Sequence, residues 1–266
     1  MLRVVQFSGG KDSTALVLWA REHFGEAFIP LFCDTGSEHP ITLAYIDYIN
    51  STVLGGRLVV RRSERYISME DLVGQRGRVP SVKARFCTDE LKIQPTRAYL
   101  RTLGDEAVVY QGVRADESKP RKDAGPRVWA DDYDCWVFRP LFHWAVDRVF
   151  ALHEKHGVEV NPLYKLGAGR VGCFPCVNIT LGELKRVARS LPEIWEHAQR
   201  IEDAAGSTFF PPDYIPFRFC SRHHETTGIP TVADVRAYVD DTDAQQIALF
   251  DTRRLSGCMS VYNLCE

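Results

Sequence analysis

The sequence predicts an α/β protein built on a mainly parallel, doubly wound sheet of about five strands, with a helical region at its C-terminal end. Three observations carry this. Short apolar runs of strand length alternate with longer segments of helical spacing through the first half of the chain. A glycine turn joins the first such run directly to the first helix. Beyond residue 165 the strand-like runs stop while helical spacing continues. Repeated strand–helix units imply parallel strands covered on both faces.

In chain order, residues 2–7 (LRVVQF) are short and apolar, and residues 14–24 have helical spacing. Residues 28–32 form a second strand that runs out at Asp34, and Pro40 opens a helix carrying Ile41, Leu43, Ala44, Ile46 and Ile49. A third strand is expected at 58–60, a helix at 88–103, a fourth strand at 107–111 and a short fifth at 136–138. Residues 181–190, 192–205, 233–239 and 243–250 read as helices, and the Pro/Phe-rich stretch 209–219 as irregular. The chain therefore divides into residues 1–165, the sheet, and 166–266, the helical region, with no repeat or low-complexity linker between them.

The chain has 266 residues, enough for one such domain with an appendage. No apolar run approaches the 18 residues of a membrane span, and Met1 leads straight into a strand without the pattern of a signal peptide. The expectation is a soluble, cytoplasmic protein with no membrane association. A net charge of −2 supplies no overall positive field to recruit nucleic acid, although Arg61-Arg62 and the basic residues within 119–122 remain local contact surfaces.

Chemistry is concentrated first in Ser8-Gly9-Gly10-Lys11-Asp12-Ser13, between the first strand and the first helix. Two glycines allow the backbone to curl so that N–H groups converge, the helix adds its positive end, and Lys11 brings a full charge, which together make an anion cradle. The pattern is not GxxxxGK[ST], so it is not the common nucleotide loop.

The second concentration is thiol. Eight cysteines in a cytoplasmic protein argue for metal or redox chemistry before disulfides. Cys173 and Cys176 are spaced to grip one ion or one cluster edge, and Cys258 and Cys265 complete a set of four, which fits either a [4Fe–4S] cluster or a structural zinc. Cys33 and Cys135 read as small apolar packing residues. The run Cys220-Ser221-Arg222-His223-His224 has ligand-type residues but adjoins a Phe-rich stretch suited to packing.

The hexapeptide resembles the PP-loop of ATP pyrophosphatases, which cleave ATP between its α- and β-phosphates. The resemblance continues through Cys33-Asp34-Thr35-Gly36, Arg85-Phe86-Cys87-Thr88 with Leu91-Lys92, and Gly112-Val113-Arg114-Ala115-Asp116-Glu117-Ser118. It ends with Asn161-Pro162-Leu163-Tyr164 and Gly172-Cys173-Phe174-Pro175-Cys176. In this order the segments are similar to the phosphoadenosine phosphosulfate (PAPS) reductase family in its broad sense.

That resemblance implies a HUP-type sheet binding an adenine nucleotide, with ATP and Mg²⁺ as the reacting pair and an iron–sulfur cluster rather than zinc at the cysteines. It implies that Ser8, Gly9, Gly10, Lys11, Asp12 and Ser13 hold phosphates, and that Asp34 with Thr35 and Gly36 reaches Mg²⁺ or the nucleotide; the alternative for Asp34 is a cap for the helix at Pro40. Arg85 and Lys92 would neutralise phosphate charge. Gly112, Arg114, Glu117, Ser118 and Arg121 would form a substrate-facing loop, with a surface ion pair the alternative for Glu117 and Arg121. Cys87 stands as a sulfur carrier, a further ligand or a packing residue. Lys11, Asp12, Arg85, Lys92 and Cys87 are then the catalytic candidates, and His143, His153 and His156 read as structural.

The implied reaction is adenylation of an acceptor oxygen with release of pyrophosphate, preparing that oxygen for displacement by sulfur, as in DNA phosphorothioation systems. A cysteine desulfurase or another persulfide donor, and DNA or a different sulfur acceptor, are the implied partners. The alternative is reduction of adenylyl sulfate or PAPS. Such reductases carry a Glu-Cys-Gly-(Leu/Ile)-His tail and a paired cysteine, whereas this chain ends Leu264-Cys265-Glu266 and has Phe86-Cys87. A third alternative, from another class, is a nucleotide or redox sensor.

Overall fold

The computed structural model describes residues 1–104 and 106–241, with only the backbone of Lys119 and Pro120. Its elements, in order, are β1 (Leu2–Gln6), α1 (Lys11–Phe24), β2 (Ile29–Cys33), α2 (Pro40–Thr52), β3 (Val59–Arg61), α3 (Met69–Arg76) and α4 (Phe86–Thr88). A π-helical turn (Asp89–Ile93) joins α4 to α5 (Gln94–Leu103). Then come β4 (Ala107–Tyr110), α6 (Lys119–Lys122), β5 (Arg127–Ala130), β6 (Cys135–Phe138) and α7 (Val146–Lys155). The last are α8 (Leu181–Ser190), α9 (Ile194–Ala205), β7 (Arg222–His224), β8 (Thr227–Ile229) and α10 (Val232–Asp240). Among the described residues no helix is long and apolar enough to cross a membrane.

The chain forms two compact units: Met1–Ile67, Thr88–Leu163 and Arg170–Cys173 in the first, and Ser68–Cys87, Tyr164–Gly169 and Phe174 onward in the second. In the first unit six strands lie in the order β3-β2-β1-β4-β6-β5. Five are parallel and β5 runs antiparallel at one edge against β6. The fold class is the expected one, with β5 added. The sequence reading passed over Arg127–Ala130 because an exposed edge strand lacks the apolar run of a central one. Apolar residues cover both faces: Val5, Phe7 and Leu16 to Leu18 with Ile46 and Ile49 on one, and Val4, Leu31, Val109 and Val137 with Tyr99 and Leu100 on the other.

Strand order reverses at β1, which lies between β2 and β4 with Val4 facing Ile29 on one side and Val109 on the other. In such sheets the carboxyl ends of the strands flanking the reversal open a crevice. The chain places Ser8 and Gly112 there, just beyond β1 and β4.

The second unit is mostly helical. Ser68 caps α3, Thr180 caps α8, and Thr231 with Asp234 makes a capping box at α10. Glu70 of α3 faces Arg200 of α9 at 3.6 Å. The expectation of no further strands is corrected by a short hairpin, β7–β8, which its polar sequence (RHH, TGI) conceals. Cys220 sits under this hairpin: it is buried, a Cβ on Gly228 would lie 2.6 Å from its Sγ, and burial pushes its thiol pKa up. It is a packing residue. His223 lies against the Phe217 ring at 4.1 Å.

Candidate functional site

Gly9 adopts φ +74, where a side chain is strained, and a Cβ there would stand 3.1 Å from Ile46 and 3.2 Å from Thr42. Gly10 caps α1 in an extended conformation without a side-chain bond, so the first N–H groups of the helix meet no capping side chain from it. The serines close the loop: Ser13 Oγ accepts from the Ser8 N–H at 3.1 Å and donates to the Gly10 carbonyl at 2.9 Å, and Ser8 Oγ lies 3.2 Å from Ser13 Oγ.

Two side chains from distant sequence hold this loop from behind. Asn161 is fully buried and donates from Nδ2 to the Gly9 carbonyl at 3.2 Å, while its Oδ1 accepts from the Leu163 N–H. His153 Nε2 lies 2.8 Å from the Lys11 carbonyl oxygen. Burial lowers the His153 pKa, and its Nδ1 faces the Val158 carbonyl oxygen at 3.3 Å, so both ring nitrogens are turned to backbone carbonyls. The structural reading of His153 holds, and its contact is the phosphate loop itself.

Lys11, Asp12 and Arg114 form a buried charged group. Arg114 Nε meets Asp12 Oδ1 at 2.6 Å, and Lys11 Nζ lies 3.3 Å from Asp12 Oδ2. Arg114, 4% exposed, also donates to the Trp144 carbonyl. Two cations share one carboxylate at the helix start, where an anion is stabilised. Arg114 was expected on a substrate-facing loop; it instead braces Asp12 from within. Gly112 makes this possible, because a Cβ there would stand 2.7 Å from the Asp12 carbonyl oxygen.

A cavity of about 290 Å³ opens beside the loop. Its wall includes Ser8, Ser13, Gly112 and Arg121 together with Lys92, Cys33 and Glu38. Lys92 stands on the π-helical turn, a feature that recurs at functional sites. Cys33, expected only to pack, lies in this wall. Its Sγ donates to the Lys92 carbonyl at 3.5 Å and lies 3.3 Å from Thr96 Oγ1, and burial pushes its thiol pKa up. Cys135 is buried as expected. Gln6, Gln111 and Tyr133 also line the cavity, and the sequence reading missed all three. The available signal was two glutamines at the carboxyl ends of otherwise apolar strands.

Glu117 accepts from the Arg114 N–H and pairs with Arg121, which also lines the cavity. Ser118 begins α6 in extended conformation. Asp34 is buried; Oδ1 accepts from the Gly36 N–H at 2.9 Å and Oδ2 from Arg62 Nε at 2.8 Å. It does not cap the helix at Pro40; His39 does, accepting from the Ile41 N–H. Thr35 gives its N–H and hydroxyl to Glu38, whose pKa burial raises. Arg85, exposed, and Cys87, half-buried, belong to the second unit and are not among the residues lining the cavity.

Asp12, Asp34, Glu38 and Glu117 are each already engaged by a cation or a hydrogen-bond donor. These residues therefore do not fit a preformed Mg²⁺ site. Cys173 pairs backbone with Glu38 and lies 3.5 Å from Thr35 Oγ1; Cys176 belongs to the second unit, and Cys258 and Cys265 lie outside the described residues. Among the described residues no group of three His, Cys, Asp or Glu side chains is placed to hold a metal ion.

A parallel sheet with a glycine phosphate loop at its reversal point defines a class of α/β phosphate-binding proteins. Within that class the chain belongs to the phosphoadenosine phosphosulfate reductase domain family, whose model matches residues 3–179. It is 34% identical to an uncharacterized 37.8 kDa protein of Escherichia phage 186, over 100% of this chain and 97% of that one. It is 30% identical to the adenosine 5′-phosphosulfate reductase of Allochromatium vinosum, over 68% of this chain and 70% of the relative. A Methanocaldococcus jannaschii protein, MJ0066, is 26% identical, and the match spans 41% of its length. The fold is similar to the PAPS reductase of Candida auris, with a TM-score of 0.53 at 16% identity, covering 66% of this chain and 83% of that one.

Proposed function

We propose that the cavity takes an adenine nucleotide and that the protein is an ATP pyrophosphatase, transferring AMP to an acceptor oxygen with release of pyrophosphate. The observation that carries this is the buried Lys11–Asp12–Arg114 group at the start of α1, which sets two cations beside the glycine loop where phosphates would rest. The acceptor oxygen attacks the α-phosphorus, the bond to the β-phosphate oxygen breaks, and pyrophosphate leaves on the loop N–H groups and Lys11. Lys92 and Arg121 also stand in the cavity wall. Mg²⁺ would enter with ATP as part of the substrate. No protein nucleophile is required, which suits a wall whose thiol, Cys33, is held protonated.

The adenylated oxygen is then open to displacement by sulfur, from a persulfide donor or a cysteine desulfurase, in DNA or another acceptor. The second reading, reduction of adenylyl sulfate, is favoured by the similarity to the Allochromatium reductase. It would require a thiolate from outside the cavity wall, with Cys87 and Cys265 the candidates.

The test is product analysis after anaerobic incubation of the protein with Mg²⁺ and α-labelled ATP, with and without DNA and a persulfide donor. AMP with pyrophosphate, or a labelled adenylate, is expected. Intact ATP beside tight binding of adenylyl sulfate overturns adenylation in favour of reduction.

A further inference from the structure

Four side chains around the cavity form a hydrogen-bonded relay whose direction is fixed by chemistry. Arg139, one residue past β6, has donors only. Its Nη1 serves the carbonyl of Gly125 at 2.9 Å, and its Nε donates to Gln111 Oε1 at 3.2 Å. The Gln111 amide is thereby oriented with its oxygen toward Arg139 and its NH₂ toward Gln6, donating to Gln6 Oε1 at 3.1 Å. Gln6 must then present its own NH₂ to the Tyr133 hydroxyl oxygen, at 3.2 Å. Each link consumes an acceptor, so the relay ends on a phenol that accepts from Gln6 and keeps its own proton to give.

Among the described residues no protein acceptor lies within hydrogen-bond distance of that O–H. Burial raises the Tyr133 pKa, so the proton is retained across the neutral range. Gln6, Gln111 and Tyr133 line the same cavity as Ser8 and Ser13, together with the apolar side chains of Leu31 and Phe32. The phosphate end of a ligand is claimed by the loop and Lys11. A neutral, half-buried donor beside apolar wall suits an uncharged acceptor rather than a phosphate oxygen, which would favour a cation.

We propose that Tyr133 is a specificity residue whose hydroxyl donates to an uncharged acceptor on the nucleoside portion of the bound nucleotide, its direction of donation set by Arg139 through Gln111 and Gln6. The proposal rests on the nucleotide reading of the cavity and adds to it the group that distinguishes a nucleotide from bare polyphosphate.

The experiment measures Kd by calorimetry for ATP and for tripolyphosphate on the full-length protein, its fold checked by thermal melting. Tyr133→Phe is expected to weaken ATP about three- to tenfold, the worth of one neutral hydrogen bond, and to leave tripolyphosphate unchanged. Gln6→Glu turns the Tyr133 proton inward, since a carboxylate can only accept; its added charge acts on both ligands, so the ratio of the two Kd values is the readout. The ratio of Kd for ATP to Kd for tripolyphosphate should rise in Gln6→Glu as in Tyr133→Phe, and adding Tyr133→Phe to Gln6→Glu should raise it no further. Equal ATP affinity in Tyr133→Phe, or independent losses in the double variant, overturns the role of Tyr133 while leaving the nucleotide reading intact. Wild-type protein that binds tripolyphosphate but not ATP overturns the nucleotide reading itself.

Discussion

Lys11 and Arg114 flank one carboxylate, Asp12, and removing either cation has a different expected consequence. Lys11 stands at the loop where charge would build on the leaving pyrophosphate, so Lys11→Ala should lower kcat for ATP cleavage by about 10²- to 10³-fold, with a smaller effect on nucleotide Kd. A sensor would show the binding loss alone. Arg114 is buried against Asp12, and Arg114→Ala leaves that carboxylate with weakened compensation inside the protein. The expected cost is about 3–5 kcal/mol of folding stability, read by denaturant titration. A loss under about 1 kcal/mol would show that water reaches Asp12 freely and that the brace is unimportant. The sequence named both residues as site residues. It did not separate the one at the loop from the one behind it, because burial and side-chain direction are not encoded in a motif.

At the scale of elements, the crevice depends on a close approach between the end of β4 and the start of α1. Gly112 permits it: a methyl group there would meet the Asp12 carbonyl oxygen at 2.7 Å and its carbon at 3.0 Å, both backbone atoms that cannot rotate aside. Gly112→Ala should therefore destabilise the protein by about 1–3 kcal/mol and weaken ATP binding together, since relief requires α1 to move. Gly182→Ala is the control, because a Cβ there meets only the end of the Arg186 side chain, at 3.8 Å. Equal melting temperatures for the two variants would sink this account. Most of these elements were legible in advance: β1, β2, β4, α8 and α9 lie close to where apolar runs and helical spacing put them. The exposed edge strand β5 and the hairpin β7–β8 were not, because strands paired at an edge or in isolation carry no long apolar run.

For the whole molecule, the buried His153 couples stability to pH. Its folded-state pKa lies below the ordinary 6.5, with burial the leading cause. As pH falls through about 6.5 the unfolded chain takes up this proton before the folded protein does, so stability should fall with acidification in that window and level off below the depressed folded value. His153→Gln keeps a donor for the Lys11 carbonyl and removes the titration. Its melting temperature should fall less steeply between pH 6.5 and the acid limb than that of the wild-type protein, whereas parallel profiles would show that His153 does not titrate differently in the two states.

The sequence by itself determined the class of the fold, the position of the phosphate loop and the family, because these depend on local signals: alternating apolar runs, paired glycines beside a helix start, and short motifs in a fixed order. Tertiary structure alone decided what each motif residue does. Asn161 and His153 reach the loop from more than 140 residues away, Cys33 enters the cavity wall, Asp34 is engaged by Arg62, and Gln6, Gln111 and Tyr133 join through a relay ordered by Arg139. Such assignments follow from which donors and acceptors packing brings within about 3 Å of one another, and sequence distance is silent on that.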